Sequence, residues 1–353
     1  MKAVIIAGGF GTRMRPLTYN RPKPVVNVAN RPFVVHQIEL LKRYGITDII
    51  LNLHYLPANM ELLLGDGSDM GVSISYSLEK NPLGTAGAVK NAEQFFDNEP
   101  LIVFNGDILT DIDISDLVDF HRKNSAKATI ALTEVEDPTP YGLVITDEKG
   151  RVTSFLEKPS WESVTTKNIN AGIYVLDPAI FKDVPAGKPH SFERELFPGL
   201  LEKGEKVFAK VSSAYWLDIG SPQKYMQAHK DILNGDVSVN IEGDNKGGNI
   251  WVHRSSSVSP SAKLRGPLVI GRGAKLSDRS SVKSFSVIGE NVSLEEGAIV
   301  EDTVILRNSK IGRDVKLKNC IIGENCIIED FVEMIYGVVL ADYSIVKKGS
   351  KLL

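Results

Sequence analysis

The chain has 353 residues, of which 42% are hydrophobic, and its 41 basic and 44 acidic side chains give a net charge of −3. This length suggests about two domains, and the composition excludes a disordered chain. The even charge balance excludes the basic surface of a nucleic-acid or anionic-membrane binder. Cys320 and Cys326 are the only cysteines, which excludes a disulfide scaffold and favours a cytoplasmic protein. No apolar run is long enough to span a membrane, and we expect no signal peptide in the short apolar opening Met1–Ala7.

Short apolar runs alternate with helical patterns over residues 1–235. The first predicted strands are Val4–Ala7, Ile49–Leu53, Val72–Ser77 and Leu101–Phe104. The helices predicted between them are Pro32–Tyr44, Ala58–Leu64 and Thr85–Phe96, the last with Thr85 as its N-cap. The elements predicted next are the strands Ala128–Val135, Leu143–Thr146, Val152–Phe155 and Ala171–Leu176 and the helix Gln223–Leu233. This alternation predicts an α/β domain, Rossmann-like, with a mostly parallel sheet covered by helices on both faces.

A second pattern begins after residues 236–250, which are rich in Gly, Asn and Asp and are predicted to form a linker. Aliphatic residues then recur at a spacing of six: Val252, Val258, Leu264, Ile270, Leu276, Val282, Ile288, Leu294, Val300 and Leu306. After Leu306 the phase slips by one residue, and the repeat resumes at Ile311, Leu317, Ile322 and Ile328. Hexapeptide periodicity is typical of a parallel β-helix, which we predict over residues 251–353.

The first predicted strand leads into a glycine-rich run, Gly8-Gly9-Phe10-Gly11-Thr12-Arg13-Met14-Arg15-Pro16-Leu17-Thr18, followed by Arg21-Pro22-Lys23-Pro24. Glycines let backbone N–H groups approach a polyphosphate closely, and Arg13 and Lys23 supply positive charge. Met14 stands where a dinucleotide-binding fingerprint needs its third glycine, and the Gly-Lys-Ser/Thr of a P-loop is absent. The run therefore predicts a phosphate site of another kind.

Together these residues resemble the signature of the sugar-nucleotide pyrophosphorylases, the nucleotidyltransferases that join a nucleoside triphosphate to a sugar 1-phosphate. Further blocks follow in the order of that family: Pro82-Leu83-Gly84-Thr85-Ala86-Gly87, Asn105-Gly106-Asp107, Phe155-Leu156-Glu157-Lys158-Pro159, Asn170-Ala171-Gly172 and Trp216-Leu217-Asp218-Ile219-Gly220. The resemblance covers nearly the whole chain and is strongest to the members that use GTP and mannose 1-phosphate. It implies a nucleotidyltransferase domain over residues 1–235, followed by a β-helix that is left-handed.

The resemblance also implies that Asp107 and Asp218 hold Mg²⁺, with Arg13, Lys23 and Asp107 as the catalytic residues. The chemistry agrees, because a sugar 1-phosphate is largely a dianion at neutral pH and needs no general base. It needs charge neutralisation and in-line positioning, which a hard divalent cation supplies. Asp107 follows a predicted strand, and ligands of open α/β sheets bind at that end of a strand. Asp111 and Asp113 lie close by but are predicted to serve a turn or a helix start.

The remaining site residues implied by the resemblance fall into two groups. The nucleotide-binding group is Ala7, Gly8, Gly9, Gly11, Thr12, Arg13, Glu79, Pro82, Gly84 and Thr85. The group that binds the sugar phosphate is Lys23, Gly142, Glu157, Lys158 and Asn170. Glu79 is the candidate reader of the base, because a carboxylate can accept from both donors of guanine, whereas a Gln amide suits thymine or uracil better.

We therefore predict synthesis of GDP-mannose and pyrophosphate from GTP and mannose 1-phosphate. The same reaction with glucose 1-phosphate and UTP or dTTP stays open, because mannose and glucose differ only at C2. A bifunctional nucleotidyltransferase/acyltransferase is less favoured, because acyl transfer usually needs a His base and no His follows His253. A relative that only binds sugar nucleotide would be expected to lose Arg13 or a metal-binding Asp. This chain keeps Arg13, Lys23, Asp107 and Asp218, which favours an enzyme.

We also expect no nucleic-acid or membrane partner. The β-helix should form a homo-oligomer, dimer or tetramer, and carry little of the chemistry.

Overall fold

A computed structural model describes residues 1–352, and the chain forms two compact units. The sheet unit comprises Met1–Phe10 and Gln37–Asp218, and the β-helix unit comprises Gly11–His36 and Ile219–Leu353. The chain passes between the units inside the glycine-rich run, so Gly8 and Gly9 belong to the sheet unit. Arg13 and Lys23 belong to the β-helix unit.

The sheet unit is built on a mixed sheet that has nine strands within residues 1–352. These strands are Ala3–Ile6, Asp48–Leu53, Ser73–Leu78, Leu101–Asn105, Ala128–Glu134, Gly142–Thr146, Val152–Glu157, Asn168–Leu176 and Val207–Val211. Ala3–Ile6 is central and pairs in parallel with Asp48–Leu53 and Leu101–Asn105, as the α/β pattern predicts. Asn168–Leu176 is antiparallel to its neighbours, and Gly142–Thr146 forms a hairpin with Val152–Glu157. A hairpin needs only a short connection, whereas parallel neighbours need a crossover.

Both units also contain helices. The α-helices in residues 1–352 are Phe33–Arg43, Pro57–Leu64, Gly84–Asn91, Ile114–Asn124, Phe197–Glu202 and Pro222–Asn234. The shorter helical turns are Thr12–Met14, Lys23–Val25, Ser68–Met70, Glu93–Phe95, Trp161–Ser163, Pro178–Asp183 and Phe192–Leu196. Asp113 caps Ile114–Asn124, as predicted, by accepting a hydrogen bond from the Asp116 N–H at 3.1 Å. None of the helices in the described part of the chain is long and apolar enough to cross a membrane.

The β-helix unit stacks short strands into three parallel sheets. The first sheet contains Ile250–Val252, Leu268–Ile270, Ser286–Ile288, Val304–Ile305, Ile321–Ile322 and Val339–Leu340, with Asp244–Asn245 antiparallel at its edge. The second contains Ser257–Val258, Lys275–Leu276, Ser293–Leu294, Lys310–Ile311, Ile327–Ile328 and Ile345–Val346. The third contains Lys263–Leu264, Ser281–Val282, Ile299–Glu301, Lys316–Lys318, Glu333–Ile335 and Lys351–Leu352. This arrangement is that of the predicted left-handed β-helix.

The period-six residues form the interior of these coils, with one correction. The register pairs Ile288 with Ile305, so the inward residue of that coil is Ile305 rather than Leu306. The five-residue interval therefore lies between Val300 and Ile305, one repeat earlier than the sequence suggested. Leu306 is also aliphatic and buried, so the spacing alone could not distinguish the two.

Candidate active site

The first strand of the sheet unit ends in a glycine-lined turn. The backbone N–H of Ala7 donates to the carbonyl oxygen of Asn52 at 2.9 Å, which ties this turn to the neighbouring strand. A Cβ atom at Gly8 would lie 3.1 Å from Oε1 of Glu79, whereas a Cβ at Gly9 would have open space around it. Glycine at position 8 therefore lets a carboxylate approach the backbone, and Gly9 leaves the backbone accessible to a ligand.

The carboxylate beside this turn is buried. Glu79 is 8% exposed, and its Oε2 accepts a hydrogen bond from the Leu83 N–H at 2.9 Å. Burial raises the pKa of Glu79, and the Leu83 N–H and nearby His54 oppose that rise. One oxygen is thus tied to its own loop, while the other is the oxygen next to Gly8.

Three further predicted nucleotide ligands lie at the start of the third helix. Pro82 and Gly84 are exposed. Thr85 bonds within the protein, because its hydroxyl accepts the Phe192 N–H at 2.8 Å and lies 3.3 Å from Oε2 of Glu193. The predicted N-cap role of Thr85 is wrong, since the helix already begins at Gly84 and its N-terminus has no side-chain cap.

Asp218 lies on a two-stranded antiparallel ribbon, and Asp107 directly precedes one of its strands. Its strands are Ile108–Thr110 and Trp216–Asp218. The register pairs Asp218 with Ile108, the residue that follows Asp107. The Tyr141 hydroxyl donates a hydrogen bond to Oδ1 of Asp218 at 2.9 Å. The backbones of two aspartates that are distant in the sequence therefore lie one register step apart.

The backbone on both sides of Asp107 is fixed. The Gly106 N–H donates to the carbonyl oxygen of Ile6 at 2.9 Å. A Cβ atom at position 106 would lie 2.5 Å from that same oxygen, so the close approach requires glycine. The side-chain amide of Gln37 donates to the carbonyl oxygen of Ile108 at 2.9 Å.

This donor set fits a magnesium ion that is bound mainly through substrate phosphates. Within residues 1–352, no group of three or more His, Cys, Asp or Glu side chains could hold a metal. Mg²⁺ usually keeps several waters and takes one or two carboxylates together with the phosphates of a substrate. Asp107 and Asp218 provide that number of carboxylates, and both are partly buried.

Three of the predicted sugar-phosphate residues line one cavity of about 270 Å³ in the sheet unit, namely Gly142, Glu157 and Asn170. Gly142 and Glu157 are paired in register on neighbouring strands, and a Cβ at position 142 would lie 2.9 Å from Oε2 of Glu157. Lys158 is exposed and is not one of the lining residues. The cavity approaches the size of a small-ligand site and offers carboxylate and amide groups that can bind hydroxyls.

Two further polar residues, Glu193 and Arg194, line this cavity, although no sequence motif indicates them. Glu193 accepts hydrogen bonds from the Tyr174 hydroxyl at 3.1 Å and the Ser191 hydroxyl at 2.8 Å. The Asn170 amide lies 3.4 Å from the same carboxylate, and Arg194 lies 3.8 Å from Glu157. The one sequence feature near them is Ser191, a residue type that often begins a helix. Its hydroxyl accepts hydrogen bonds from the Glu193 and Arg194 N–H groups.

The second half of the phosphate run, from Gly11 onward, belongs to the β-helix unit. The Thr18 hydroxyl donates to the Gly11 carbonyl oxygen at 2.7 Å. Gly11 has φ +61°, and a Cβ there would lie 3.2 Å from Cβ of Lys23. Thr12 and Arg13 are exposed, and Lys23 is half-buried. The run is thus a closed loop that brings Gly11 next to Lys23 and presents Arg13 at its surface.

Residues 2–235 match the nucleotidyl transferase family, and residues 264–352 match the GMPPB C-terminal domain family. The chain is 40% identical to the mannose-1-phosphate guanylyltransferase of Mycobacterium tuberculosis over 85% of this chain and 82% of the relative. It is 32% identical to the UTP–glucose-1-phosphate uridylyltransferase of Synechocystis over 90% of this chain and 86% of the relative.

The crystal structure of HddC from Yersinia pseudotuberculosis, complexed with GMP-PN, is similar to this chain. The sequence identity is 32% and the TM-score 0.56, over 64% of this chain and 97% of HddC. The family model matches well over half of the chain, and the relatives are similar over most of its length. The chain belongs to the nucleotidyl transferase family and is a nucleotidyltransferase enzyme with a C-terminal β-helix.

Proposed function

We propose that the protein transfers the guanylyl group of GTP to mannose 1-phosphate, giving GDP-mannose and pyrophosphate. The observation that carries the transfer chemistry is the ribbon register, which puts Asp107 and Asp218 one step apart in the unit that also contains the glycine turn and the cavity. The choice of GTP and mannose 1-phosphate is supported by the 40% identity to a mannose-1-phosphate guanylyltransferase. Members of the family use a divalent metal. We propose Mg²⁺, held by these two aspartates, which when bound neutralises phosphate charge and aligns the reacting groups.

Three basic residues of the chain act on the phosphates during the transfer. The phosphate oxygen of mannose 1-phosphate attacks the α-phosphorus of GTP, and the bond from that phosphorus to the leaving pyrophosphate breaks. Arg13 stabilises the leaving pyrophosphate and Lys23 the reacting phosphates, because fixed positive groups lower the energy of a transition state rich in negative charge. Lys158 binds the phosphate of the sugar.

The nucleotide and the sugar are bound by separate groups in this proposal. The nucleotide ligands are Ala7, Gly8, Gly9, Gly11, Thr12, Arg13, Glu79, Pro82, Gly84 and Thr85. Glu157 and Asn170 bind sugar hydroxyls beside the Gly142 backbone. Glu79 accepts from N1–H and the exocyclic amine of guanine, and the complex of HddC with GMP-PN supports that choice.

A second candidate is the same reaction with UTP and glucose 1-phosphate. The observation that favours it is the Synechocystis uridylyltransferase, which resembles this chain over nine tenths of its length. Pyrophosphate release, measured over a matrix of GTP, UTP, dTTP and ATP against mannose and glucose 1-phosphate, tests both candidates. The proposal requires the highest kcat/KM for GTP with mannose 1-phosphate.

The β-helix is the proposed site of homo-oligomer formation, as a dimer or tetramer. The outward column of its second sheet supports this, because it changes from Ser257, Lys275, Ser293 and Lys310 to Ile327 and Ile345 in the last two coils. Both isoleucines are exposed, and exposed apolar patches commonly mark contact surfaces.

The proposed domains are a nucleotidyltransferase domain over residues 1–235, a linker over 236–250 and a β-helix over 251–353. The cytoplasm stays the proposed compartment, supported by two buried free thiols.

A further inference from the structure

A buried ion cluster lies inside the β-helix unit. Among the residues assigned to the reaction, only those of the phosphate run are close to this cluster in the sequence. At its centre is Arg21, which is 8% exposed. Its Nη1 donates to Oε1 of Glu324, and its Nη2 donates to Oδ2 of Asp342. Both carboxylates have side chains that are less than a tenth exposed. A segment near the N-terminus is thereby joined to the C-terminal coils.

The two carboxylates are themselves held in place. Glu324 and Asp342 follow equivalent strands of successive coils, Ile321–Ile322 and Val339–Leu340. The Glu324 N–H donates to Oδ1 of Asp342 at 2.8 Å, and Nε of Arg307 donates to Oε2 of Glu324 at 2.8 Å. Each oxygen of the pair therefore has a donor, and the two coils present a preformed acceptor for one guanidinium.

Arg21 stands two residues before Lys23, in the loop that closes on itself. The Thr18 hydroxyl bonds to Gly11, and the Lys23 side chain lies against Gly11. Arg21 is the buried charged link between this loop and the coils. Loss of the link would leave one oxygen of each buried carboxylate without its charged donor, although Arg307 would still pair with Glu324, and it would remove one constraint on the backbone next to Lys23.

We infer that Arg21 is a positioning residue for nucleotidyl transfer, and that Glu324 and Asp342 make the β-helix part of the catalytic apparatus. The inference rests on the proposed function, which assigns the reacting phosphates to Lys23. Phosphoryl-group transfer depends on positioning, so a small displacement of a phosphate-binding side chain lowers turnover strongly. Lys cannot replace Arg21 fully, because an ammonium lacks the planar fork that reaches two carboxylates at once.

The test compares Arg21→Met and Arg21→Lys with wild type in the full-length protein. We expect Arg21→Met to lower kcat about 100-fold, with a smaller change in the KM for the sugar 1-phosphate, and Arg21→Lys to give an intermediate kcat. Hydrogen exchange should accelerate in residues 11–30 and stay unchanged in residues 268–305. Asp302→Asn is the matched control, because it weakens the Lys230–Asp302 ion pair of the same unit, and its kcat should equal that of wild type.

Two results would overturn the inference: a folded Arg21→Met protein with wild-type kcat, or one with unchanged exchange in residues 11–30. If Arg21→Met does not fold, Asp342→Asn is the milder variant, and unchanged kcat and exchange there overturn it equally. A wild-type protein that releases no pyrophosphate contradicts the proposed function instead. In that case the exchange measurement still decides whether Arg21 holds the loop.

Discussion

Asp107 directly precedes a two-stranded ribbon on which Asp218 lies, so the backbones of the two residues are one register step apart although they are widely separated in the sequence. Neither belongs to a group of three metal-ligating side chains in the described residues. A pair of carboxylates suits a cation that also binds substrate phosphates, and it suits poorly a structural metal that needs a closed protein shell. The metal would therefore bind together with the nucleotide.

Removing either charge should abolish most of the activity. We expect Asp107→Asn and Asp218→Asn each to lower kcat by about 100-fold or more, because metal-assisted charge stabilisation amounts to several kcal/mol. Pyrophosphate release is measured during a Mg²⁺ titration up to saturation. Asp119→Asn, at an exposed position, is the control and should match wild type. Wild-type turnover in either folded variant would show that the metal is held elsewhere.

Glu79→Gln should narrow the preference for GTP. The amide oxygen can still accept from the Leu83 N–H. The amide nitrogen that then faces the base can only donate, so it cannot accept from the guanine N1–H and exocyclic amine. We expect the ratio of kcat/KM for GTP over UTP to fall by the equivalent of about 1–3 kcal/mol. Glu61→Gln, exposed on the second helix, controls for loss of a carboxylate. An unchanged ratio means that Glu79 only caps its own loop.

Glu157→Gln should weaken binding of the sugar 1-phosphate. The carboxylate lines the cavity beside Gly142, where it can accept from sugar hydroxyls more strongly than an amide can. The KM for the sugar 1-phosphate should rise about tenfold, the cost of one charged hydrogen bond, with a smaller change in the KM for GTP. Glu162→Gln, at an exposed site nearby, should leave both constants unchanged. Equal effects of the two substitutions would place the sugar outside this cavity.

His121 should make the protein less stable in acid. Burial lowers its pKa from 6.5 to about 4, and its Nδ1 lies 2.9 Å from the Thr129 hydroxyl. The unfolded chain binds a proton below about pH 6.5 and the folded chain only below about pH 4, so stability falls between these values, by up to about 1.4 kcal/mol per pH unit.

The urea midpoint at pH 7 and pH 5 measures this effect. His121→Gln should shrink the difference between the two midpoints, whereas Asn98→Gln, which changes no titratable group at an exposed position, should leave it as in wild type. Buried His229, whose pKa is lowered to about 3 by burial, contributes in the same direction in all three proteins. The prediction fails if the His121→Gln midpoint falls as steeply with pH as that of wild type.

Much of the fold follows from local patterns. The six-residue spacing predicts the β-helix because every coil repeats the same inward position. The strand–helix alternation predicts the parallel strands around Ala3–Ile6, but it does not indicate that Asn168–Leu176 runs antiparallel. Period alone also could not choose between Ile305 and Leu306, since both are aliphatic and buried.

The site is less evident from the sequence where distant residues cooperate. Glu193 joins the cavity through a tertiary contact with Tyr174, which no local motif predicts. The ion cluster of Arg21 with Glu324 and Asp342 likewise links opposite ends of the chain. The sequence led us to expect that the β-helix takes little part in the chemistry. The inference from Arg21 revises that expectation, because the coils hold the loop that contains Lys23.

A single competition experiment tests the choice of nucleotide and sugar. The protein is incubated with Mg²⁺, equal amounts of GTP, UTP and dTTP, ¹³C-labelled mannose 1-phosphate and unlabelled glucose 1-phosphate. Mass spectrometry at low conversion then gives the relative kcat/KM of every pair from the sugar nucleotides formed. The proposed function predicts labelled GDP-mannose as the dominant product. A dominant unlabelled UDP- or dTDP-sugar, or no sugar nucleotide at all, would contradict it.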